Sequence, residues 1–287
     1  MLGAIEAGGT KFVCAVSDEQ INIVDTVKFA TTTPAETLQK VIAFFKRYPV
    51  TAIGIGSFGP IGVKAGQADF GHILNTPKLA WQNFDFLGVL KAQLQVPCYW
   101  TTDVNIAAYG ELQAGAAQGL SNVVYLTIGT GIGAGVIVAK KFYYGLSHTE
   151  VGHVLLQQQP SDHFSGSCPY HQGCAEGLAS GPAIEQRCHK KAAQIPADNP
   201  LWQLEADYLA QLCHNITLMF VPERIIFGGG VMHQKQLFPL IRKQLTAKMN
   251  HYVSLPPLDQ YIVPVGLGDQ AGIIGGLYLA KKLVNAE

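Results

Sequence analysis

The chain has 287 residues and repeats one pattern, a strand followed by a glycine-rich turn and a second strand, in both halves. In the first half the turn is "GGT" at 8–10, and in the second half the run 122–145 surrounds Gly129–Gly135. Two glycines between apolar runs are typical of a β-hairpin. Glycine N–H groups can also approach an anion closely, as in phosphate-binding turns. A single turn would favour the hairpin, but two turns and a third glycine run at 228–230 favour nucleotide phosphates.

The turn at Gly129–Gly135 also matches the spacing G-x-G-x-x-G, which opens a helix in dinucleotide-binding proteins. Here Val136, Ile137 and Val138 follow the turn, and this run predicts that a strand continues. We therefore interpret the turn as part of a strand pair and not as a dinucleotide fingerprint.

Hydrophobic spacing predicts an α/β chain. The first half reads as three strands, a helix, a strand, a helix and a strand, an order that is typical of one lobe with a mixed sheet. In the second half we expect a long helix at 200–220 and a helix at 233–249 that Pro239 kinks or breaks.

Composition excludes several classes of protein. Lys and Arg together number 20, as do Asp and Glu, so the net charge is zero and does not support nucleic-acid binding. No apolar stretch reaches the ~20 residues of a membrane-spanning helix, and we expect no signal peptide. We therefore expect a cytoplasmic protein without nucleic-acid or membrane partners. Its six cysteines are scattered, so we expect no disulfide framework.

Asp103 lies where a predicted strand, 96–103, meets a predicted helix. One interpretation is a helix N-cap, for which Asp is well suited. The other is a general base at the junction of two lobes. The two interpretations are compatible, because the N-terminus of a helix keeps a carboxylate ionised.

A group of metal-binding residue types lies between 148 and 176. His153, Cys168, His171 and Cys174 offer two imidazoles and two thiolates, the ligand types and number of a closed, structural zinc site. Such a site would fasten the intervening loop. The alternative is two free thiols and two surface histidines, and His163 is a possible substitute ligand.

Two carboxylates, Glu150 and Glu176, flank these metal-binding residues. A lone glutamate is more often solvated. Beside a loop that a metal holds in place, however, both would become fixed hydrogen-bond acceptors. Two such acceptors suit a substrate with several hydroxyl groups.

Seven motifs cover essentially the whole chain. They are "IEAGGTK" (5–11), "GPIG" (59–62), "TDVNIAAYGE" (102–111), "TIGTGIGAG" (127–135), "EVGH" (150–153), "CPYHQGCAEGLASGP" (168–182) and "GGGV" (228–231). With these motifs in this order, the chain resembles the ROK family of sugar kinases, and within it the bacterial fructokinase branch.

The resemblance implies an α/β, two-lobed, actin-like (ribonuclease-H-like) ATPase fold with a mixed sheet in each lobe and with ATP and sugar meeting in the cleft. The N-terminal lobe would span 1–115 and be completed by a C-terminal helix at about 270–287, and the C-terminal lobe with its zinc-binding loop would span 116–269. The family also implies a homodimer.

The resemblance further implies a role for individual residues. Asp103 would be the base that takes the proton from the sugar hydroxyl. The sugar would be bound by Gly59, Pro60, Thr102, Asp103, Glu150, His153 and Glu176. ATP and Mg²⁺ would be held by Glu6, Gly8, Gly9, Thr10, Lys11, Gly129, Thr130, Gly131, Gly133, Gly228, Gly229 and Gly230, the last three beside the adenosine. Structural Zn²⁺ would be held by His153, Cys168, His171 and Cys174.

The chain departs from the family pattern at three places. Much of the family has Asp in place of Glu6, so we expect magnesium to be held differently, through water. Many glucokinases of the family have Asn in place of Thr102, and His171 replaces a cysteine in a zinc loop longer than the common form. By resemblance, these departures favour fructose over glucose.

Several alternatives stay open at this point. Within the family they are a glucokinase, a mannokinase or an N-acetylhexosamine kinase, and outside catalysis a sugar sensor. The family's transcriptional repressors carry a DNA-binding module before the first phosphate motif. We expect none here, because Glu6 lies near the start of the sequence and the net charge is zero.

Overall fold

The computed structural model describes residues 1–285, which form two compact units. Unit 1 comprises Met1–Gln118, Phe142–His148 and the residues from Leu267 to the end of the described chain; unit 2 comprises Gly119–Lys141 and Thr149–Gly266. The lobe boundaries predicted from the sequence lie between residues 115 and 116 and between 269 and 270. They place the short segment Phe142–His148 in the C-terminal lobe, whereas this segment packs with unit 1. The last two residues of the C-terminal helix predicted at about 270–287 lie outside the described residues.

Unit 1 is built on a mixed sheet of five strands. Its elements up to residue 118 are β1 (Leu2–Ala7), β2 (Lys11–Ser17), β3 (Ile23–Ala30), α1 (Pro34–Phe45), β4 (Ala52–Ser57), β5 (His72–Ile73), β6 (Phe84–Asp85), α2 (Phe86–Leu94), β7 (Cys98–Thr102) and α3 (Asp103–Ala114). The strand order is β3-β2-β1-β4-β7, with β1 antiparallel to β2 and parallel to β4. The predicted order of strands and helices is confirmed, and the short hairpin β5–β6 is an addition that the sequence did not predict.

Local sequence explains where the helices of unit 1 begin. The hydroxyl of Thr33 caps α1 by accepting from the Glu36 amide, and Pro34 occupies the first turn, where no amide hydrogen is needed. The buried face of α1 carries Leu38, Val41 and Phe45 at helical spacing. This face packs into an aromatic-rich core beneath the sheet.

Unit 2 repeats the plan of a mixed sheet covered by helices. Its elements are β8 (Val123–Ile128), β9 (Ile132–Val138), β10 (Lys141–Phe142), α4 (Ala175–Ala179), α5 (Gly181–Cys188), α6 (Leu201–Phe220), β11 (Arg224–Gly228), α7 (Leu237–Met249), α8 (Leu258–Tyr261) and β12 (Ile262–Pro264). The strand order is β10-β9-β8-β11-β12, with β8 antiparallel to β9 and β11 parallel to both β8 and β12. The repeat of strand, glycine turn and strand in both halves is therefore a property of the fold.

The helices of unit 2 show one error in the sequence analysis. We expected a helix at 233–249 that Pro239 interrupts, but α7 begins at Leu237, so Pro239 lies in its first turn and interrupts nothing. The long helix α6 buries Trp202, Leu209 and Cys213 in the core of the unit. Within residues 1–285, none of the helices combines the length and the apolar character needed to cross a bilayer.

Unit 1 is completed by α9 (Ala271–Val284), which packs closely against α3 through glycines. A Cβ atom placed on Gly275 would lie 1.7 Å from the carbonyl oxygen of Ile106, and one on Gly110 would lie 2.1 Å from that of Ala271. The two helices therefore touch backbone to backbone. No other residue type fits at these two positions without separating the helices.

Candidate active site

The first glycine turn of unit 1 is held rigidly by its neighbours. The Gly8 amide donates to the Lys11 carbonyl at 3.0 Å. Thr31, directly after β3, donates its hydroxyl to the Gly8 carbonyl at 2.7 Å and its amide to the Thr10 carbonyl at 3.0 Å. Within the described chain, the amides of Gly9 and Thr10 have no acceptor. A fixed turn with unpaired amide donors is suited to binding an anion.

Glu6 lies on β1 just before this turn, beside the first turn of α9. A Cβ atom on Gly272 would lie 2.6 Å from Glu6 Oε2, so the carboxylate fills the space that this glycine leaves. Burial raises the pKa of Glu6, the Lys11 ammonium opposes the shift, and the Asp269 carboxylate adds to it. Two carboxylates beside a glycine turn match the oxygen ligands that Mg²⁺ prefers. The donor set of unit 1 therefore fits magnesium, with Glu6 and Asp269 as the residues that would hold it.

Asp103 is the first residue of α3, and it is not the N-cap that the sequence analysis considered. The N-cap is Thr102, whose hydroxyl accepts from the Asn105 amide at 3.2 Å. The Asp103 Oδ1 accepts from the amide of Val104 at 2.8 Å. Because Thr102 caps the helix, Asp103 is not needed for that purpose. Its carboxylate lies at the positive end of the helix dipole, which favours the ionised form of a base.

The segment Phe142–His148 contributes two side chains to this region that the sequence analysis missed. Tyr144 Oη lies 2.6 Å from Thr101 Oγ1, directly before the Thr102–Asp103 junction. His148 Nε2 accepts from the Ile61 amide at 3.1 Å, next to Gly59 and Pro60. No sequence signal could have found the second contact, because its partners are 87 residues apart.

In unit 2 the second glycine turn joins β8 to β9. The hairpin ends with the pair Ile128 and Ile132, and β9 continues as a strand, so the prediction that this turn does not open a helix is confirmed. Glu176 Oε2 accepts from the Ile132 amide at 3.0 Å, and a Cβ on Gly131 would lie 2.5 Å from the same oxygen. Glu176 is thus in contact with the glycine turn itself, which the sequence analysis did not predict.

The third glycine run follows β11 and passes close to the hairpin. Gly229 has a φ of +88°, and a Cβ there would lie 2.4 Å from the Ile128 carbonyl oxygen. A Cβ on Gly228 would lie 2.3 Å from Tyr125 Oη. Only at Gly230 would a Cβ meet no described atom within 4 Å. Gly230 is therefore the residue of this run whose surface is open to a ligand.

The predicted metal ligands come together in unit 2. One ligand atom from each of His153, Cys168, His171 and Cys174 lies within 4.8 Å of the others. His153 Nδ1 lies 3.7 Å from both thiol sulphurs, close to the roughly 3.6 Å between neighbouring N and S ligands of a tetrahedral zinc ion. The four residues fit structural Zn²⁺. His163 is not part of this cluster, so it is not a substitute ligand in this geometry.

Backbone amides support the two sulphur atoms. Cys174 is the N-cap of α4 and accepts from the Gly177 amide at 3.3 Å, while Cys168 accepts from the His171 amide at 3.4 Å. Burial raises the pKa of Cys174 to about 11. His153 lies in a single 3₁₀ turn, Val151–His153, which the exposed Glu150 precedes.

The loop between the metal ligands has a second fastening that does not involve the metal. The buried Asp162 forms an ion pair with Arg187 at 3.0 Å and accepts from the Tyr208 hydroxyl at 2.6 Å. Arg187 also donates to the Leu178 carbonyl at 2.6 Å, in the helix that carries Glu176. The expectation that the metal fastens this loop was thus incomplete, because an ion pair joins the loop to the body of unit 2.

The residues predicted to form the site divide between the two units. Unit 1 carries Glu6, Gly8, Gly9, Thr10, Lys11, Gly59, Pro60, Thr102 and Asp103. Unit 2 carries Gly129, Thr130, Gly131, Gly133, Glu150, His153, Cys168, His171, Cys174, Glu176, Gly228, Gly229 and Gly230. The predicted site residues of each unit therefore include one glycine turn and at least one carboxylate held by its neighbours.

Comparison with known proteins identifies the family. The model of the ROK family matches residues 2–283. The fructokinase of Pediococcus pentosaceus is 54% identical over 281 residues, which cover 98% of each chain.

Solved structures agree on the fold. The chain resembles a ROK hexokinase from Thermus thermophilus with a TM-score of 0.81 and 25% identity over 99% of each chain. It also resembles a ROK family glucokinase from Streptomyces griseus in complex with glucose and AMPPNP, with a TM-score of 0.76 and 25% identity over 98% of this chain and 99% of that one. The expected actin-like α/β fold with mixed sheets is confirmed, and the chain belongs to the ROK family.

Proposed function

We propose that this chain is an ATP-dependent hexose kinase that converts D-fructose to fructose 6-phosphate. The observation that carries the proposal is the 54% identity to a fructokinase over nearly the whole of both chains. The site chemistry supports it, since phosphoryl transfer needs positioning and charge neutralisation more than covalent help. The rigid glycine turns and the carboxylate at the start of α3 are suited to those tasks.

Asp103 is the proposed general base. It accepts the proton of the sugar hydroxyl as the oxygen attacks the terminal phosphorus, and the bond from that phosphorus to the bridging oxygen of ADP breaks. The helix N-terminus keeps Asp103 ionised before transfer. The hydrogen bond from the Val104 amide, 2.8 Å long, keeps the carboxylate in one orientation.

The proposed ATP site uses the unpaired amides of Gly9 and Thr10 and the second turn at Gly129–Gly131, with Gly133 continuing that hairpin. Gly228–Gly230 would lie along the adenosine, with Gly230 offering the open surface. Glu6 and Asp269 would hold magnesium, which would neutralise phosphate charge when bound.

The proposed sugar ligands are polar groups on fixed elements. Glu150 and His153 lie on one short turn. Glu176 accepts from the Ile132 amide through Oε2, so its other carboxylate oxygen, Oε1, is the one that would contact the sugar. Gly59, Pro60 and Thr102 complete the set, with Asp103 facing the acceptor hydroxyl. Zinc bound by His153, Cys168, His171 and Cys174 would be structural, holding the turn and α4 together.

The test is ADP release with Mg-ATP against fructose, mannose, glucose and N-acetylmannosamine, each with and without magnesium, followed by identification of the phosphorylated carbon. Magnesium-dependent turnover with fructose foremost and phosphate on O6 supports the proposal. Preference for another sugar leaves a hexose kinase of different specificity, such as a glucokinase, mannokinase or N-acetylhexosamine kinase. Sugar binding without any turnover would favour a sensor. The homodimer and the cytoplasmic location stay predictions.

A further inference from the structure

The loop between β5 and β6, residues 74–83, is a closed and well-anchored structure in unit 1. The Asn83 amide donates to the Leu74 carbonyl, and the Gln82 side chain donates to the Thr76 carbonyl at 2.9 Å, so the loop closes on itself. The buried indole of Trp81 donates to the Thr32 carbonyl at 2.7 Å, and its ring stacks on Phe12 with centroids 5.7 Å apart. The loop is therefore held against the strands that carry the first glycine turn.

Lys78, within this loop, extends its side chain across that turn. A Cβ atom placed on Gly9 would lie 3.2 Å from Lys78 Cε and 4.0 Å from Cδ. The Lys78 amide donates to the hydroxyl of the buried Thr76 at 3.4 Å, which fixes the start of the side chain. A half-buried lysine stem thus lies directly on the glycine whose amide has no acceptor.

The Lys78 ammonium has no hydrogen bond and no ion pair with any residue from 1 to 285. Its position differs from that of Lys11, the lysine of the turn itself, which is exposed and interacts with the Glu6 carboxylate. An unpaired cation beside unpaired amide donors makes this end of the turn positive. Such a surface matches a ligand with several negative charges.

We propose that Lys78 is a catalytic residue whose ammonium binds the phosphates of ATP at the Gly8–Lys11 turn and stabilises the charge that develops during transfer; the proposal rests on the proposed function. In that step the bond between the terminal phosphorus and the bridging oxygen breaks, and a bond to the sugar oxygen forms. The sugar proton goes to Asp103, ADP leaves with the bond electrons, and Lys78 keeps its own proton. Cations placed on the transferred group are a general device in phosphoryl transfer.

The competing explanation is that the lysine stem only packs on Gly9 while its charged end faces water. Lys78→Met separates the two, because methionine keeps an unbranched apolar stem and removes the charge. Lys78→Arg keeps the charge. Lys64→Met is the matched control, since Lys64 is another half-buried lysine in a loop of the same unit.

The experiment measures kcat, the Kd values of AMPPNP and AMP, and the thermal midpoint for the wild type and the three variants. For Lys78→Met we expect kcat to fall roughly 10–1,000-fold and AMPPNP affinity roughly tenfold, with AMP affinity and thermal midpoint unchanged. Lys78→Arg should recover part of both losses, and Lys64→Met should behave as the wild type.

Wild-type kcat and AMPPNP affinity in Lys78→Met would overturn the proposal. So would an equal loss of AMP and AMPPNP affinity together with a lower thermal midpoint, which would indicate packing alone. If the wild type phosphorylates no hexose, the proposed function fails separately. The ratio of AMPPNP to AMP affinity still decides whether Lys78 binds phosphate.

Discussion

Replacing Asp103 with asparagine is the most direct test of the proposed chemistry. In the wild type the Val104 amide donates to Asp103 Oδ1 at 2.8 Å. Asparagine has the same size as aspartate and keeps an oxygen that can accept this hydrogen bond. The start of α3 is preserved because Thr102 is its cap. The substitution therefore removes the basicity of the side chain and leaves the backbone unchanged.

Two magnitudes separate catalysis from structure in this variant. A general base contributes about 10²–10⁴ to the rate, which corresponds to roughly 2.7–5.4 kcal/mol of activation free energy at 1.36 kcal/mol per tenfold change. Loss of a charge at a helix N-terminus costs only about 0.3–1 kcal/mol of folding free energy. We therefore expect kcat to fall by a factor of at least ~100, fructose binding to persist, and the thermal midpoint to change by no more than about 4 °C.

Asp85→Asn is the matched control. Asp85 caps α2 of the same unit and accepts from the Gly88 amide at 2.8 Å, so the variant makes the same change of charge at a helix start away from the proposed site. It should lower the thermal midpoint by a similar small amount and leave kcat unchanged. Wild-type turnover in Asp103→Asn, or a loss of sugar binding with early unfolding, would refute the assignment of the base.

Three further predictions address the metal, the core and the pH dependence. We expect one zinc ion per chain in the wild type and in Cys98→Ser but none in Cys174→Ser, as measured by metal analysis after purification without chelator. Gly275→Ala should lower the free energy of unfolding by about 1–3 kcal/mol, because its Cβ would lie 1.7 Å from a carbonyl oxygen of α3. This loss would exceed the gain of about 1 kcal/mol that alanine ordinarily gives over glycine in a helix. The control Gly145→Ala should change little, because a Cβ there meets no described atom within 4 Å. Glu205 is buried and neither of its carboxyl oxygens has a hydrogen-bond partner among the described residues, and burial raises its pKa well above the ordinary value. Above the ordinary carboxyl pKa, the unfolded chain releases a proton from Glu205 that the folded chain keeps, so the free energy of unfolding falls as pH rises. Glu205→Met should therefore stabilise the protein more at about pH 7 than at about pH 4.

Each of these expectations has a clear contrary result. Zinc retained by Cys174→Ser would remove that thiol from the metal centre. A thermal midpoint for Gly275→Ala at or above that of the wild type would mean that α3 and α9 separate without cost. For Glu205→Met, a gain in unfolding free energy that is the same at both pH values would show that the carboxyl does not titrate differently on folding.

Some features of the site could be predicted from the sequence because their signals are local. Cys168, His171 and Cys174 occur within seven residues, and thiolates and imidazoles at that density have few uses other than metal binding. The two glycine turns were recognisable because each lies between apolar runs that form its strands. The position of Asp103 at a strand-to-helix junction could also be predicted from its neighbours, although the N-cap of the helix is Thr102.

Other features depend on which distant segments pack together, and no period or motif encodes that. Lys78 reaches Gly9 only because Trp81 anchors its loop on Phe12, and His148 meets Ile61 only because the segment Phe142–His148 joins unit 1. The sequence by itself determined the family, the residue types of the candidate metal site and the two glycine turns, since these depend on neighbouring residues. The tertiary structure alone decided which cation lies on the first turn, which acid contacts the second, and that α3 and α9 touch through glycines, because those are contacts between residues far apart in the chain.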